Sequence, residues 1–389
     1  MLKIAVLYGG KSGEHEVSLV SAASILKHLD RSRYEVIPIG ITKDGRWLLQ
    51  NDIALAPPAP APASASVLTS VPAPVPADAA ASDMTPLPPI RRGDRIFVAP
   101  GSGLVREGPD GTVSPLPCDV VFPVLHGSFG EDGTIQGLLE TAGLPYVGGG
   151  VLASAIGMDK EIAKELWMHA GLPVVDFIAV HPGDLAGDRF PALRRKVEAR
   201  FGWPVFVKPA CAGSSVGASK VSGPENLENA LKSALEWDSK ALVEPFVEAH
   251  EIECAVLGNA EPVAFPPGEV ASTHEFYDYD AKYQDPDGAR LLVPAPLSPM
   301  QATRVREIAL AAYRVCEMSG MARIDFFVDK KTGEVLLNEA NTIPGFTGIS
   351  MYPRMCASGG LPYPELLDRL IALALERHAG RSAIRYDFA

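Results

Sequence analysis

Two short stretches, Arg323-Ile-Asp325 and Glu339-Ala-Asn341, each set two polar groups at i and i+2 within apolar sequence. Period-two geometry puts each pair on one face of a strand. The runs Met321 to Lys330 and Glu334 to Thr342 enclose Lys331-Thr332-Gly333, which predicts a hairpin with a three-residue loop and Gly333 in the left-handed region. That register sets Asp325 opposite Glu339, with Arg323 and Asn341 on the same face. Opposed carboxylates repel unless a cation, a shared proton or solvent intervenes. Two carboxylates and an amide oxygen are the hard ligands Mg2+ takes when it also bridges phosphates. The bland alternative is a salt bridge from Arg323 to Asp325 or Glu339 on a solvent-facing sheet.

A second group surrounds the loop from Lys208 to Gly217, which carries Gly213, Ser214 and Ser215 between two apolar runs. Small residues let backbone amides approach a phosphate, and Lys208 supplies a cation at the strand end. No Gly-Lys-Ser/Thr follows, so this is not a Walker A loop, and an ordinary glycine turn has the same composition. Glu244 follows an apolar run, and Glu251 and Glu253 alternate on the next one. Backbone amides and an acid at a strand end suit an adenine edge and a ribose hydroxyl, although such acids taken singly read as surface charge. The glycine turns at 9–18 and 126–133 place Glu14 and His126 ahead of helices. There, helix amides favour a carboxylate and side-chain acids an ammonium, the two halves of an amino acid; capping is the plainer role for each. The Asp-rich stretch Thr273 to Arg290 reads as a mobile loop or lid.

The elements that must carry these groups follow from periodicity. Leu2 to Leu7, a glycine turn and Glu16 to Leu29 read as strand, turn and helix. Val36 to Ile41 and Val120 to Leu125 add strands, and Gly133 to Ala142 another helix, so the first third is a layered α/β domain. Residues 54–89 interrupt it with 11 Ala and 10 Pro, a composition that blocks helix and central strand alike and predicts an extended surface excursion. Further on come a helix near Lys160 to Ala170, strands at 204–208, from Ser219 and at 241–247, the hairpin, and a helix from Pro364 to His378. The expected fold is α/β, in part α+β, with domains at 1–157, 158–247 and 248–389.

Composition narrows the partners. The 389 residues carry a net charge of -12, which argues against nucleic acid and anionic membrane as partners. Five cysteines without CxxC spacing suggest neither a disulfide framework nor a zinc site. With no signal-peptide pattern and no apolar run near membrane length, a cytoplasmic protein is expected.

GGKSGEHEVS, HGSFGEDGTIQG, GMDK, KPACAGSSVG, FYDYDAKY, RIDFF and LNEANTIPGFTGISMYP follow one another between residues 9 and 353. In content and order they resemble the D-alanine–D-alanine ligases of the ATP-grasp superfamily. The resemblance implies a three-domain homodimeric enzyme of peptidoglycan precursor synthesis, with ATP held between the second and third domains. It implies that Lys160 and Lys208 contact the phosphates, Glu244 and Val247 the adenine, and Glu251 the ribose. Asp325, Glu339 and Asn341 would hold two Mg2+ ions, with Mn2+ a possible substitute. Glu14 and His126 match positions at the first D-alanine, Ser350 and Met351 positions at the carboxylate of the second, and Lys282 is a further substrate contact. Arg323 and the Gly345 amide would stabilise the oxyanion, and Ser214 and Tyr283 would link to Glu14 to close the site. The sequence FYDYDAKY differs from the lid of relatives that make D-alanyl-D-lactate, which favours D-alanine as second substrate over D-lactate or D-serine. Two departures stand out: Cys211-Ala212 where many relatives are polar, and Pro245 where an amide donor is common. A regulatory nucleotide-binding protein without turnover is the reading from another class; it predicts gaps among the charged positions, and none is missing.

Overall fold

The computed structural model describes residues 1–50, 85–272 and 289–385. The chain opens with β1 (Leu2–Gly9), α1 (His15–His28), β2 (Tyr34–Ile41) and β3 (Trp47–Leu49), then β4 (Arg95–Ala99), β5 (Gly103–Glu107), β6 (Val113–Leu116) and β7 (Val120–Val124). These seven strands form one sheet in the order β6-β5-β4-β3-β2-β1-β7. Its β2-β1-β7 part is parallel and the remainder antiparallel. Parallel strands covered on both faces read as continuous apolar runs, and Ile4 to Tyr8 are all fully buried, each large apolar side chain contributing roughly 1.5–3 kcal/mol. Pro123 is tolerated because β7 lies at the sheet edge.

The strip before β4 departs from the expected surface excursion. Leu87 is buried in the core with α1, and its backbone N–H donates to Leu19 O at 3.3 Å. Ile90 lies over Gly40, where a Cβ would come within 2.7 Å of it. The excursion therefore ends before Leu87, not at residue 89; residues 54–84 lie outside the described residues. On its far side, Gln50 Nε2 donates to Arg92 O at 2.9 Å.

Helices α2 (Thr134–Thr141), α3 (Val151–Met158) and α4 (Lys160–His169) lead into β8 (Ile178–Val180), α5 (Arg189–Phe201), β9 (Val205–Pro209), β10 (Ser219–Val221), α6 (Leu227–Leu235) and β11 (Ala241–Pro245). Asp159 starts α4 by accepting from the N–H groups of Glu161 and Ile162, a cap worth about 1 kcal/mol. The four strands form an antiparallel sheet, β10-β9-β11-β8.

A third sheet follows: β12 (Ala249–Leu257), β13 (Val263–Ala264), β14 (Gly268–Ser272), β15 (Ala289–Leu292), then α7 (Pro299–Val315), β16 (Met321–Asp329) and β17 (Val335–Asn341). Its order is β15-β14-β12-β16-β17, with β13 beside β12. Ser272 and Ala289 are register partners, so the stretch predicted as a lid leaves and rejoins the sheet at one point. The chain ends in α8 (Met351–Ser358) and α9 (Tyr363–Ser382). Leu366, Leu370 and Leu373 of α9 share a core with Ile4, Val6 and Phe122 of the first sheet, which ties the last helix to the first strands. Among the described residues no helix is long and apolar enough to cross a membrane.

Candidate active site

The β16–β17 hairpin pairs Asp325 with Glu339 and Arg323 with Asn341, as the residue spacing predicts. The route to that register differs. Asp329 N–H donates to Glu334 O at 2.9 Å, so the loop is the four residues 330–333, with Gly333 at φ +73°. A bulge at Asp325/Phe326 restores the pairing by passing one extra residue, Asn338. A bulge sends consecutive side chains to the same side; Asn338 and Glu339 both line the cleft, Asn341 is half-buried beside Asp325 and is not part of that lining, and Leu337 and Ala340 are buried. Across the sheet, Asp325 also pairs with Glu253 of β12.

Three carboxylates thus stand side by side, each near a cation. Arg323 grips Asp325 bidentately, Nε at 2.8 Å and Nη2 at 2.7 Å, and its Nε lies 3.2 Å from Glu253. Burial opposes the guanidinium charge, but Asp325 and Glu253 hold it protonated more firmly than an ordinary arginine. Asn341 Nδ2 donates to Asp325 at 2.9 Å, and Lys160 Nζ lies 3.3 Å from Glu339. The salt-bridge alternative is therefore present in part, yet on a largely buried face. Among the described residues no three His, Cys, Asp or Glu side chains converge on one point. The donor set of two carboxylates and adjacent amides fits an oxygen-seeking cation that takes its remaining ligands from phosphate and water.

Beneath the hairpin lies a run of buried charge. Lys208 Nζ donates to Asn338 Oδ1 at 2.9 Å and contacts Glu244 Oε2 at 2.9 Å. The other Glu244 oxygen meets Lys164 Nζ at 2.5 Å, and Lys164 also donates to Val175 O at 3.1 Å. Burial alone would raise the Glu244 pKa, but Lys164 and Lys208 hold it below the ordinary carboxylate range. Both oxygens of its carboxylate are thus engaged by lysines. Lys160 Nζ donates to Ala212 O at 2.8 Å, which secures the glycine loop at the Cys211-Ala212 departure.

That loop reaches the first sheet. Ser214 and Ser215 both take left-handed φ values, 50° and 59°, and Ser214 Oγ donates to Glu14 Oε1. Glu14 also packs against Gly127, which takes φ +70°, a conformation that favours glycine; a Cβ there would fall 2.4 Å from Glu14 Oε2 and displace that carboxylate. Burial lowers the His126 pKa and favours the neutral ring, although Glu14 works the other way. With Nδ1 2.9 Å from Ile343 O and Nε2 3.0 Å from Ser21 Oγ, the ring donates from Nδ1 and accepts from Ser21. Both nitrogens are committed to protein. Glu131 accepts from Gly127 N–H at 2.9 Å and from Ile343 N–H at 2.8 Å. Burial, and then the Glu14 charge, push its carboxyl up to about 7. His126 and Glu131 therefore grip both polar groups of Ile343, two residues before Gly345. Ser350 caps the turn after Gly345, its Oγ accepting from Thr347 N–H at 2.9 Å, and Met351 is buried at the start of α8.

Lys160, Lys208, Ser214, Glu244, Val247, Glu251, Arg323, Asp325 and Glu339 line a single cleft of about 720 Å³ between the second and third sheets. Glu14, His126, Gly345, Ser350 and Met351 are not part of its lining; they gather where the first sheet meets α8, joined to the cleft through Ser214. Lys282 and Tyr283 lie outside the described residues. Lys164, Asn338 and Glu131 were not singled out from the sequence. Lys164 lies one helical turn after Lys160, Asn338 next to Glu339, and Glu131 in the His126 turn, so each had a nearby flag.

Family models describing the N-terminus and the C-terminus of D-ala D-ala ligases match residues 3–149 and 166–372. The chain belongs to that family. The D-alanine–D-alanine ligase of Treponema denticola is 45% identical over 97% of this chain and 96% of its own. The D-alanine–D-alanine ligase A of Bradyrhizobium diazoefficiens is 47% identical over 100% and 99%. Among solved structures, the D-alanine–D-alanine ligase of Coxiella burnetii matches with a TM-score of 0.78 at 36% identity, covering 98% of this chain and 97% of that one. The VanG D-Ala:D-Ser ligase of Enterococcus faecalis gives the same TM-score at 33% identity, covering 96% and 99%. The mixed α/β architecture of this D-alanine–D-alanine ligase family member is thus shared with relatives named for different second substrates.

Proposed function

We propose that this protein is an ATP-dependent ligase that joins two D-alanine molecules into D-alanyl-D-alanine for the peptidoglycan precursor, and so serves cell-wall biogenesis and cell shape from the cytoplasm, as a homodimer. The observation that carries the reading is the Ser214–Glu14 hydrogen bond, which joins the phosphate-type loop of one sheet to the amino-acid-type turn of another. A regulatory nucleotide binder has no need of that link. In this reading ATP occupies the cleft between residues 158–247 and 248–389, and the amino acids lie against residues 1–157.

The first D-alanine is held by Glu14, within the turn that carries His126, and its carboxylate attacks the ATP γ-phosphate to give an acyl phosphate and ADP. Lys160 and Lys208 offset the charge developing on the phosphates. Asp325, Glu339 and Asn341 would hold two Mg2+ ions, or Mn2+ in their place, which supply Lewis-acid neutralisation of phosphate charge when bound. The amine of the second D-alanine, whose carboxylate lies at Ser350 and Met351, then attacks the acyl carbon. Arg323 and the Gly345 N–H face the oxyanion that forms; a single such donor is commonly worth about 10²–10³ in rate. Phosphate departs as the C–N bond closes. Ser214, with Tyr283 and Lys282 from the lid, keeps water from the acyl phosphate. Val247 and the Glu244 backbone meet the adenine, and Glu251 the ribose.

A second reading, D-serine as second substrate, is favoured by the match to the Enterococcus faecalis D-Ala:D-Ser ligase. Phosphate release with ATP and Mg2+ in the presence of D-alanine, L-alanine, D-serine, or D-alanine plus D-lactate, with the product weighed by mass spectrometry, separates the two. D-alanine alone yielding D-alanyl-D-alanine is the expected result. Release only with a mixed pair moves the protein to a mixed-dipeptide or depsipeptide ligase; nucleotide binding without release supports the regulatory reading.

A further inference from the structure

Lys164 is wholly buried and is absent from the lining of the cleft, so it cannot touch a nucleotide there. Its Nζ nevertheless takes one oxygen of Glu244, while Lys208 takes the other. Two ammonium groups therefore share one carboxylate, and the trio carries a net charge of +1. Lys208 has as its other contact the neutral Asn338 Oδ1. The balance matters because the cleft is rich in acid: seven Asp and Glu residues line it against five Lys and Arg. A triphosphate entering such a cleft depends on every cation not already cancelled.

Resting on the ligase reading, we propose that Lys164 is a positioning residue for the nucleotide: by engaging Glu244 from below, it keeps that carboxylate from neutralising Lys208. Lys164 fixes the Glu244 rotamer, Glu244 and Asn338 together fix the Lys208 ammonium, and the surplus positive charge is presented upward. Burial pushes the Lys164 pKa down to about 8, with Glu244 as the main group holding the proton on, so the charge is kept by the pair. Removing Lys164 alone leaves one acid for one lysine and a neutral cleft floor. Removing both Lys164 and Glu244 charges returns the floor to +1.

A purely structural ion pair predicts otherwise, since replacing a buried pair with uncharged side chains affects stability and leaves ligand charge matching untouched. The test is calorimetric binding of a non-hydrolysable ATP analogue with Mg2+ to the full chain, for wild type, Lys164→Met and the double variant Lys164→Met/Glu244→Gln, each checked for folding by circular dichroism. The single variant is expected to bind the analogue about tenfold or more weakly, and the double variant to recover to within about threefold of wild type. In steady-state assays KM for ATP should follow that pattern while KM for D-alanine stays put. A folded single variant that binds like wild type, or a double variant no better than the single, overturns the proposal. Should Lys164→Met not fold, the milder Lys164→Gln takes its place: analogue binding weakened about tenfold supports the proposal, and wild-type binding overturns it. Failure of the wild type to bind the analogue at all strikes the ligase reading itself.

Discussion

The two ends of the candidate site are built on opposite plans. At the nucleotide end, the charges sit within strands and are held by other charges: Arg323 by Asp325 and Glu253, Glu244 by two lysines, Glu339 by Lys160. At the amino-acid end, the groups sit in turns beyond strand ends and are held by backbone: His126 and Glu131 on Ile343, Ser350 on Thr347. The first plan suits a ligand that brings several negative charges, because ion pairs can trade partners. The second suits a small zwitterion whose exact placement decides the chemistry. The Ser214–Glu14 hydrogen bond joins them directly.

If that division is right, substitutions at the two ends should fail in different ways. The largest effect belongs to the hairpin: Asp325→Ala or Glu339→Ala should lower ATP turnover by about 10³-fold or more, with the circular dichroism spectrum unchanged. A variant that kept most of its rate would remove these residues from the metal site. Cutting the join, Ser214→Ala should lower dipeptide formation by about 10- to 100-fold and raise the phosphate released per dipeptide above one. A ratio that stays at one would show that the join does not exclude water.

A subtler effect is expected at the amino-acid end. Burial and the neighbouring Glu14 raise the Glu131 carboxyl from 4.5 to about 7. A carboxyl with a raised folded-state pKa stabilises the fold below its unfolded value and loses that contribution as pH rises through the folded one. Wild type should therefore lose stability relative to Glu131→Gln between about pH 4.5 and 7, so the difference in melting temperature moves in favour of the variant over that window. A difference that is flat with pH would show the carboxylate already ionised at pH 5. The smallest effect lies outside both ends: deleting residues 57–82 should leave activity and melting temperature nearly unchanged. Leu87→Ala, by contrast, should cost about 2 kcal/mol or more because Leu87 is in the core.

The same division explains what could be read from the sequence. Charges inside apolar strand runs break a pattern, so Arg323, Asp325, Glu339 and Asn341 were visible, and alternation alone gave their shared face. The bulge at Asn338 was not visible, since a loop one residue longer and a strand one residue longer cancel beyond the bulge. Lys164 reads as a surface lysine on a helix until the strand carrying Glu244 is laid against it, 80 residues away. The grip of His126 and Glu131 on Ile343 spans more than 200 residues, and neither turn contains a signal of the other. Leu87 was hidden by composition: one leucine among prolines gives no period, and its burial depends on α1.

The hydrogen bond from Gln50 to Arg92 has a use in protein engineering. Together with Leu87 packed on α1, it fastens the chain on both flanks of the Ala/Pro-rich stretch. When the two ends of a loop are already fastened, its closure entropy grows only with the logarithm of its length, about 0.6 kcal/mol per doubling. Length there is close to a free variable, which makes the stretch between them a natural port for a fused reporter domain or an affinity tag.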